Sequence, residues 1–226
     1  MLRGPKLVIL GKQGAGKGTQ CVRLARHYVI PHISTGDIFR SAEKSGSIEG
    51  GQLQEFLAMG ELVPDEVVVA VVRERLNKDD TKTHGFIFDG FPRTIHQAEE
   101  LAKLLSPSDI DLAIDLEIPT ELAVERLTNR RVCKDCGANY GPSSPARVRG
   151  ICDFCGGEVV QREDDTEPAI RRRLALYEEE TEPIITWYLE RDILITVDGT
   201  GDADDVTSRL VRAVDKRVVE AALEKQ

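Results

Sequence analysis

A parallel α/β sheet with helices on both faces is the architecture that this 226-residue chain predicts. Two observations carry that prediction. Short apolar runs alternate with longer amphipathic stretches along most of the chain, as strand-helix-strand units require. The first run, Lys6 to Leu10, breaks directly into Gly11-Lys12-Gln13-Gly14-Ala15-Gly16-Lys17-Gly18-Thr19-Gln20. A buried strand ending in a glycine-rich turn lets backbone N-H groups converge on an anionic oxygen without interference from Cβ atoms.

In chain order, the strands are expected at Lys6 to Leu10, Pro31 to Ser34, Gly85 to Asp89, Leu112 to Glu117 and Ile193 to Val197, five in all. The first helix is expected from Lys17 to Tyr28, where Cys21, Leu24, Ala25 and Tyr28 recur at helical spacing. Further helices are expected from Glu66 to Leu76, His96 to Leu105, Thr120 to Arg130, Glu167 to Glu190 and Ala203 to Leu223. Two stretches interrupt the alternation. The first, from about Thr35 to Val63, is helical in pattern but holds Gly36, Gly46, Gly50, Gly51 and Gly60, which points to short helices in an appended unit. The second, from about Arg131 to Asp165, is rich in Gly, Pro, Ser and Cys and has no long period.

Composition excludes several classes of function. The chain is 41% hydrophobic and 31% charged, ordinary for a globular protein, and no apolar segment approaches the roughly 20 residues of a membrane span. Met1 to Pro5 runs straight into the first strand, so we expect no cleaved leader, no membrane attachment and a cytoplasmic location. A net charge of -9 argues against broad binding to nucleic acid. Arg126, Arg130, Arg131, Arg162, Arg171, Arg172 and Arg173 nevertheless crowd into one part of this acidic chain, as suits a focused anionic site.

The loop at Gly11 matches the Walker spacing, with Lys17 as the mobile charge for outer phosphates and a helix beginning near Gly16 adding its positive end. One position departs from that pattern. Gly18 stands where Ser or Thr commonly ligates magnesium, and the hydroxyl comes only at Thr19. A second motif, Asp89-Gly90-Phe91-Pro92-Arg93-Thr94, follows the third strand at the edge where open α/β sheets place ligands. There a carboxylate can orient magnesium-bound water, and Arg93 offers a fork of donors to phosphate. Ser34-Thr35-Gly36-Asp37 ends the second strand in a hydroxyl-glycine-acid turn, which also suits a helix N-cap.

Cys133-x2-Cys136 and Cys152-x2-Cys155, separated by fifteen residues, have the spacing of a four-thiolate zinc site. Such a closed shell is structural and not catalytic. Disulfides and an iron-sulfur cluster are the competing readings of the same thiols. Cys21 reads as a small buried hydrophobe on the first helix.

Taken together, Gly11 to Gln20, Ser34 to Asp37 with Arg40, Asp89 to Thr94 with Gln97, Arg126 with Arg130 and Arg131, and Arg162 with Asp164, Asp165 and Arg173 resemble the adenylate kinase family. The order and spacing hold from near residue 6 to beyond residue 200, and the cysteine quartet resembles the zinc-bearing lid of some bacterial members. The resemblance implies the P-loop nucleoside monophosphate kinase fold, a five-stranded parallel sheet with two small inserted mobile units. The core would comprise 1–33, 64–129 and 166–226, the monophosphate-binding insertion 34–63, and the zinc lid 130–165. It further implies reversible phosphoryl transfer from Mg-ATP to AMP, giving two ADP, by a monomer.

By the same resemblance, Gly14, Ala15, Gly16, Lys17, Gly18 and Thr19 would cradle the ATP phosphates. Arg126 and Arg130 would also meet ATP, with Asn139 and Tyr140 beside its base or ribose and the backbone of Gly201 at its adenine. The AMP pocket would be Thr35, Arg40, Glu61, Leu62, Val63, Gly90, Phe91, Pro92, Arg93 and Gln97, the last at the adenine edge. Arg162 and Arg173 would bridge donor and acceptor phosphates, so that Lys17, Asp89, Arg93, Arg130, Arg162 and Arg173 form the catalytic set. Departures from the family pattern are Gln13 in place of a common proline, Gly201 in place of a common lysine, and Glu167-Pro168 in place of an acidic pair. Proline suits the first turn of a helix, so the helix after it should survive.

Overall fold

Alternate residues of the first strand face opposite cores, and this divides the molecule into layers. In β1 (Lys6–Leu10), Leu7 and Ile9 belong to one apolar cluster while Val8 and Leu10 belong to another. A strand buried on both faces reads as a continuous apolar run, as this one does. The computed structural model describes residues 4–44, 56, 59, 61–142, 144–162 and 164–223.

After β1 come α1 (Lys17–Tyr28), β2 (His32–Ser34), α2 (Thr35–Lys44), α3 (Asp65–Leu76), α4 (Asp79–His84) and β3 (Phe86–Asp89). Then follow α5 (Ile95–Leu105), β4 (Leu112–Glu117), α6 (Thr120–Thr128), β5 (Arg131–Cys133), β6 (Asn139–Tyr140) and β7 (Val159–Val160). The chain closes with α7 (Glu167–Leu176), a π-helical turn (Tyr177–Thr181), α8 (Glu182–Leu189), β8 (Leu194–Asp198) and α9 (Ala203–Leu223).

Five strands form the main sheet in the order β2-β3-β1-β4-β8, and every neighbouring pair is parallel. From β1 the chain moves to one side for β2 and β3, then crosses to the other for β4. The carboxyl end of β1 is therefore the switch point where such sheets open a crevice. One face packs on α1, α6, α7 and α9 through Leu24, Leu127, Leu174 and Leu210. The opposite face packs on α3, α5 and α8 through Val72, Leu101, Ile184 and Tyr188.

The structure departs from the expected elements in three places. The helix expected as continuous from Glu167 to Glu190 is broken by the π turn at Tyr177–Thr181. Pro183 lacks an N-H and would clash with a carbonyl four residues back, so the chain widens for a turn, and the N-H of Glu182 reaches Tyr177 O. The stretch from about Arg131 to Asp165 holds a small antiparallel sheet, β6-β5-β7, whose strands of two or three residues are too short to show a period. Helix α4 was not anticipated. In the first interruption α2 is observed and Phe56 and Met59 are helical, whereas Gly46, Gly50, Gly51 and Gly60 lie outside the described residues.

Candidate active site

The turn after β1 holds Gly11, Gly14 and Gly16 at φ of 129°, 87° and 99°, a region that side chains rarely enter. At Gly14 a Cβ would also stand 2.6 Å from the carbonyl oxygen of Ala123 in α6. The glycines thus serve both the curl of the loop and its contact with the next layer. Gly16 caps α1, whose first turn carries no acidic residue, leaving its positive end open to an anion. Lys17 lies in that first turn and donates to the carbonyls of Gly11 and Lys12 at 2.5 and 2.9 Å. Burial pushes its ammonium down to about 8 against the opposing pull of Asp89.

Asp89 ends β3 directly across from the loop. A Cβ on Gly18 would lie 3.2 Å from Asp89 Oδ2, so a side chain at 18 would crowd the carboxylate. Burial pushes the Asp89 carboxyl up, but His32, Lys17 and Arg93 outweigh it and hold it below the usual range. An ionised carboxylate with no hydroxyl between it and the loop suits a water-ligated magnesium ion.

Beyond Asp89, Arg93 is placed by local bonds. Its backbone N-H donates to Gln97 Oε1 at 2.8 Å, its Nε donates to the carbonyl of Gly90 at 2.9 Å, and its own carbonyl accepts from Thr181 Oγ1 at 3.0 Å. The π turn thus supports the arginine, a connection that sequence reading missed. Burial lowers the Arg93 guanidinium, with Arg173, Arg40 and Arg162 pushing the same way and Asp89 opposing. Guanidiniums from separate elements therefore share one field, as an anionic ligand with several charges would demand.

Thr35 Oγ1 donates to the carbonyl of Gly90 at 2.9 Å, linking the start of α2 to the same turn, and Arg40 pairs with Asp37 at 2.5 Å. Phe91 and Val63 are buried, and Gly90 adopts φ 77° before the cis Phe91-Pro92 bond. Gln97 is 1% exposed, and its Nε2 donates to Asp65 Oδ1 at 2.6 Å. With its Oε1 taken by Arg93 N-H, both ends of that amide are engaged by the protein. Glu61 pairs with Arg172 at 2.7 Å, and Leu62 follows it.

Beside the glycine-rich loop, Arg126 NH1 reaches the carbonyls of Gly14 and Ala15, both at 3.3 Å, and NH2 that of Gly199 at 3.3 Å. Gly201, at φ 90°, follows β8 in the same neighbourhood, where Arg209 NH2 donates to Thr200 O at 2.5 Å. Arg130 forms a bidentate pair with Asp165 at 2.6 and 2.7 Å, and Arg162 does so with Asp164 at 2.6 and 2.8 Å. Arg173 bridges both acids, at 2.8 Å to Asp164 and 3.3 Å to Asp165. Burial pushes the Asp164 carboxyl up, but Arg162, Arg173 and Arg130 prevail and hold it at about 2. The two aspartates thus gather three cations into one cluster; their clasping role was not foreseen.

The four cysteines meet at the end of the small sheet. Their sulfurs all lie within 4.8 Å of one another, with Cys133 to Cys155 at 3.4 Å and Cys136 to Cys152 at 3.5 Å. A tetrahedron with zinc-sulfur bonds of about 2.3 Å has edges of about 3.8 Å, so the quartet fits that ion. None of the four is in a disulfide. Each knuckle turns through a glycine, Gly137 donating to Cys133 O at 3.0 Å and Gly156 to Cys152 O at 2.9 Å. Tyr140 OH donates to Cys152 Sγ at 3.2 Å. Burial pushes the Cys152 thiol up, but Tyr140 and the N-H groups of Phe154 and Cys155 outweigh it and favour thiolate. The Tyr140 hydroxyl is therefore committed to the quartet, while its neighbour Asn139 is exposed.

A phosphate loop at the switch point of a parallel sheet, faced by an ionised carboxylate and converging arginines, defines a P-loop phosphotransferase. The family model described as Adenylate kinase matches residues 9–193. The adenylate kinase of Thermodesulfovibrio yellowstonii is 47% identical over 215 residues, which is 94% of this chain and 100% of the relative. That of Clostridium kluyveri is 42% identical over 92% of this chain and 97% of the relative, and that of Caldicellulosiruptor saccharolyticus 44% over 92% and 98%. The chain belongs to the adenylate kinase family.

Proposed function

We propose that this chain transfers the terminal phosphoryl group of Mg-ATP to AMP, reversibly, giving two ADP. The convergence of Arg40, Arg93, Arg162 and Arg173 within one field opposite the Gly11 to Thr19 loop supports this reading most directly. A single nucleotide needs one cradle; a second cluster of guanidiniums facing the first suits a second phosphate.

In this reading the loop N-H groups and Lys17 hold the donor β and γ oxygens, and Arg126 braces the loop from behind. Lys17 exchanges the Gly11 and Lys12 carbonyls for phosphate oxygens, and a nearby anion restores the proton affinity that burial removes. Arg40 and Arg93 hold the acceptor phosphate in line with it. Arg130, Arg162 and Arg173 leave Asp164 and Asp165 to meet charge that spreads over the equatorial oxygens. Magnesium bound with ATP would neutralise charge on the phosphate oxygens. Asp89 would orient its water, since Gly18 provides no hydroxyl.

The segments 34–63 and 130–165 act as acceptor cover and donor lid, and their closure excludes water so that ATP is not hydrolysed. Zinc held by Cys133, Cys136, Cys152 and Cys155 staples the lid and takes no part in the chemistry. Base readout by Gln97 would require it to exchange its contact with Asp65. The protein acts on free nucleotides as a cytoplasmic monomer.

The test is ADP formation from ATP, AMP and magnesium by purified protein, run beside UMP and CMP as acceptors and GTP as donor. Lys17→Met should lower turnover by about a thousandfold while leaving the circular dichroism spectrum unchanged. Absence of ADP from the intact protein, or a wild-type rate in the variant, refutes the assignment.

A further inference from the structure

We propose that Cys21, His32 and Asp89 form a second metal site, separate from the cysteine quartet, for a thiophilic divalent ion such as Zn2+ or Co2+. The three residues come from α1, β2 and β3. Parallel pairing sets His32 beside Ile87 and Ser34 beside Asp89, which brings the imidazole to the strand end where the carboxylate sits. Cys21, one turn beyond Lys17 in α1, lies against them.

Cys21 Sγ, a ring nitrogen of His32 and a carboxylate oxygen of Asp89 all lie within 4.8 Å of one another. His32 Nε2 is buried and has no hydrogen-bond partner among the described residues. It stands 3.7 Å from Asp89 Oδ2, near enough for an ion pair and too far for a hydrogen bond. A buried ring nitrogen that shares this space with a carboxylate and a thiol gains a partner when one ion joins all three. Ligand bonds of about 2.0–2.3 Å around a tetrahedral ion set donor separations near 3.3–3.8 Å, so closure by about 1 Å lets all three donors ligate one ion and leaves its fourth position to water. The side chains of His32 and Asp89 are 21% and 17% exposed, while Cys21 is fully buried.

The donor set selects the ion. One sulfur, one nitrogen and one oxygen suit zinc or cobalt; magnesium, which demands oxygen ligands, would not settle there. Binding replaces the Cys21 S-H bond with a metal-sulfur bond and releases one proton to solvent, without redox change. Lys17 and Arg93, whose charges act on Asp89, oppose the cation. The ion would therefore compete with the Lys17 ammonium for Asp89, and loading the site would inhibit phosphoryl transfer. That inhibitory consequence rests on the role assigned to Asp89 above; the binding itself does not.

The test is titration of the nucleotide-free protein, with zinc already in the lid, by Co2+. One further equivalent should bind and give a thiolate-to-cobalt charge-transfer band in the near ultraviolet. Cys21→Ala should abolish that band, and His32→Gln should weaken cobalt binding at least tenfold, each with an unchanged circular dichroism spectrum. Absence of the band in the native protein overturns the site. Persistence in Cys21→Ala does so as well, since the band then belongs to the lid, and unweakened binding in His32→Gln overturns the site even if Cys21→Ala does not fold. In the second arm, added Zn2+ at saturating Mg-ATP should inhibit native protein at concentrations at least tenfold below those that inhibit Cys21→Ala. A cobalt band without such inhibition supports the site and overturns the role given to Asp89.

Discussion

Asp115 illustrates how a single buried side chain makes stability depend on pH. It stands in β4 opposite Leu10 and Thr196, almost fully buried beneath the phosphate loop. Burial pushes its carboxyl up to about 6, Glu117 and Glu182 add to the effect, and Lys17 and Lys12 oppose it. The folded protein thus holds a proton that the unfolded chain, near 3.8, has already released. Stability from this group is present below about pH 4, falls as pH rises through about 6, and is absent at pH 7. Asp115→Asn should therefore raise the melting temperature at pH 7 by several degrees, at about 2–4 °C per kcal/mol for a chain of this size, and bring no gain at pH 4. An equal gain at both pH values would sink this account.

At the scale of elements, the small sheet β6-β5-β7 is a segment that the proposed lid zinc would hold together. Its strands have two or three residues, and among the described residues its apolar cluster has only Cys133, Tyr140 and Cys152 buried, with Ala138, Ala146 and Val159 packed beside them. So little buried area does not by itself offset the entropy of ordering the segment, and metal-ligand bonds at the quartet would supply the difference. Cys133→Ser should lower the melting temperature by more than about 5 °C while activity at low temperature stays within a few-fold. Differential scanning calorimetry and a coupled assay check this. An inactive variant with an unchanged melting temperature would place the metal in the chemistry instead. The π turn belongs to this scale too, because it sets Thr181 against the Arg93 carbonyl.

Across the whole molecule, Asp164 and Asp165 draw Arg130 from the end of α6, Arg162 from beside the small sheet, and Arg173 from α7 into one cluster, the place that the proposed function gives to phosphate. Because the Asp164 carboxyl is held at about 2 against an ordinary 3.8, its contribution is present above about pH 4 and is lost as pH falls towards 2. That difference corresponds to about 2 kcal/mol. Acid titration followed by circular dichroism should show Asp164→Asn to be less stable than the native protein at pH 5 and level with it near pH 2. A gap that persists at pH 2 would show that the cluster is held by something other than this charge.

Much of the architecture is legible in local pattern. Strands β1 and β4 and helices α1 and α9 follow from it to the residue, since each is an apolar or amphipathic run bounded by glycine, proline or a polar turn. The phosphate loop and the cysteine quartet follow too, because their chemistry lies in spacing over a few residues. The lid strands and the π turn escaped because two or three residues carry no period and because Pro183 sits within an otherwise helical pattern. Chain folding in three dimensions was needed to show that Gly18 faces Asp89, that three arginines rest on two aspartates, and that Gln97 is already bound to Asp65. The same holds for the placement of Cys21 and His32 beside Asp89. Apart from the local pairings of Arg162 and Arg173 with the two aspartates, these contacts join residues far apart in the chain, set by strand order and helix packing, and no local spacing encodes them.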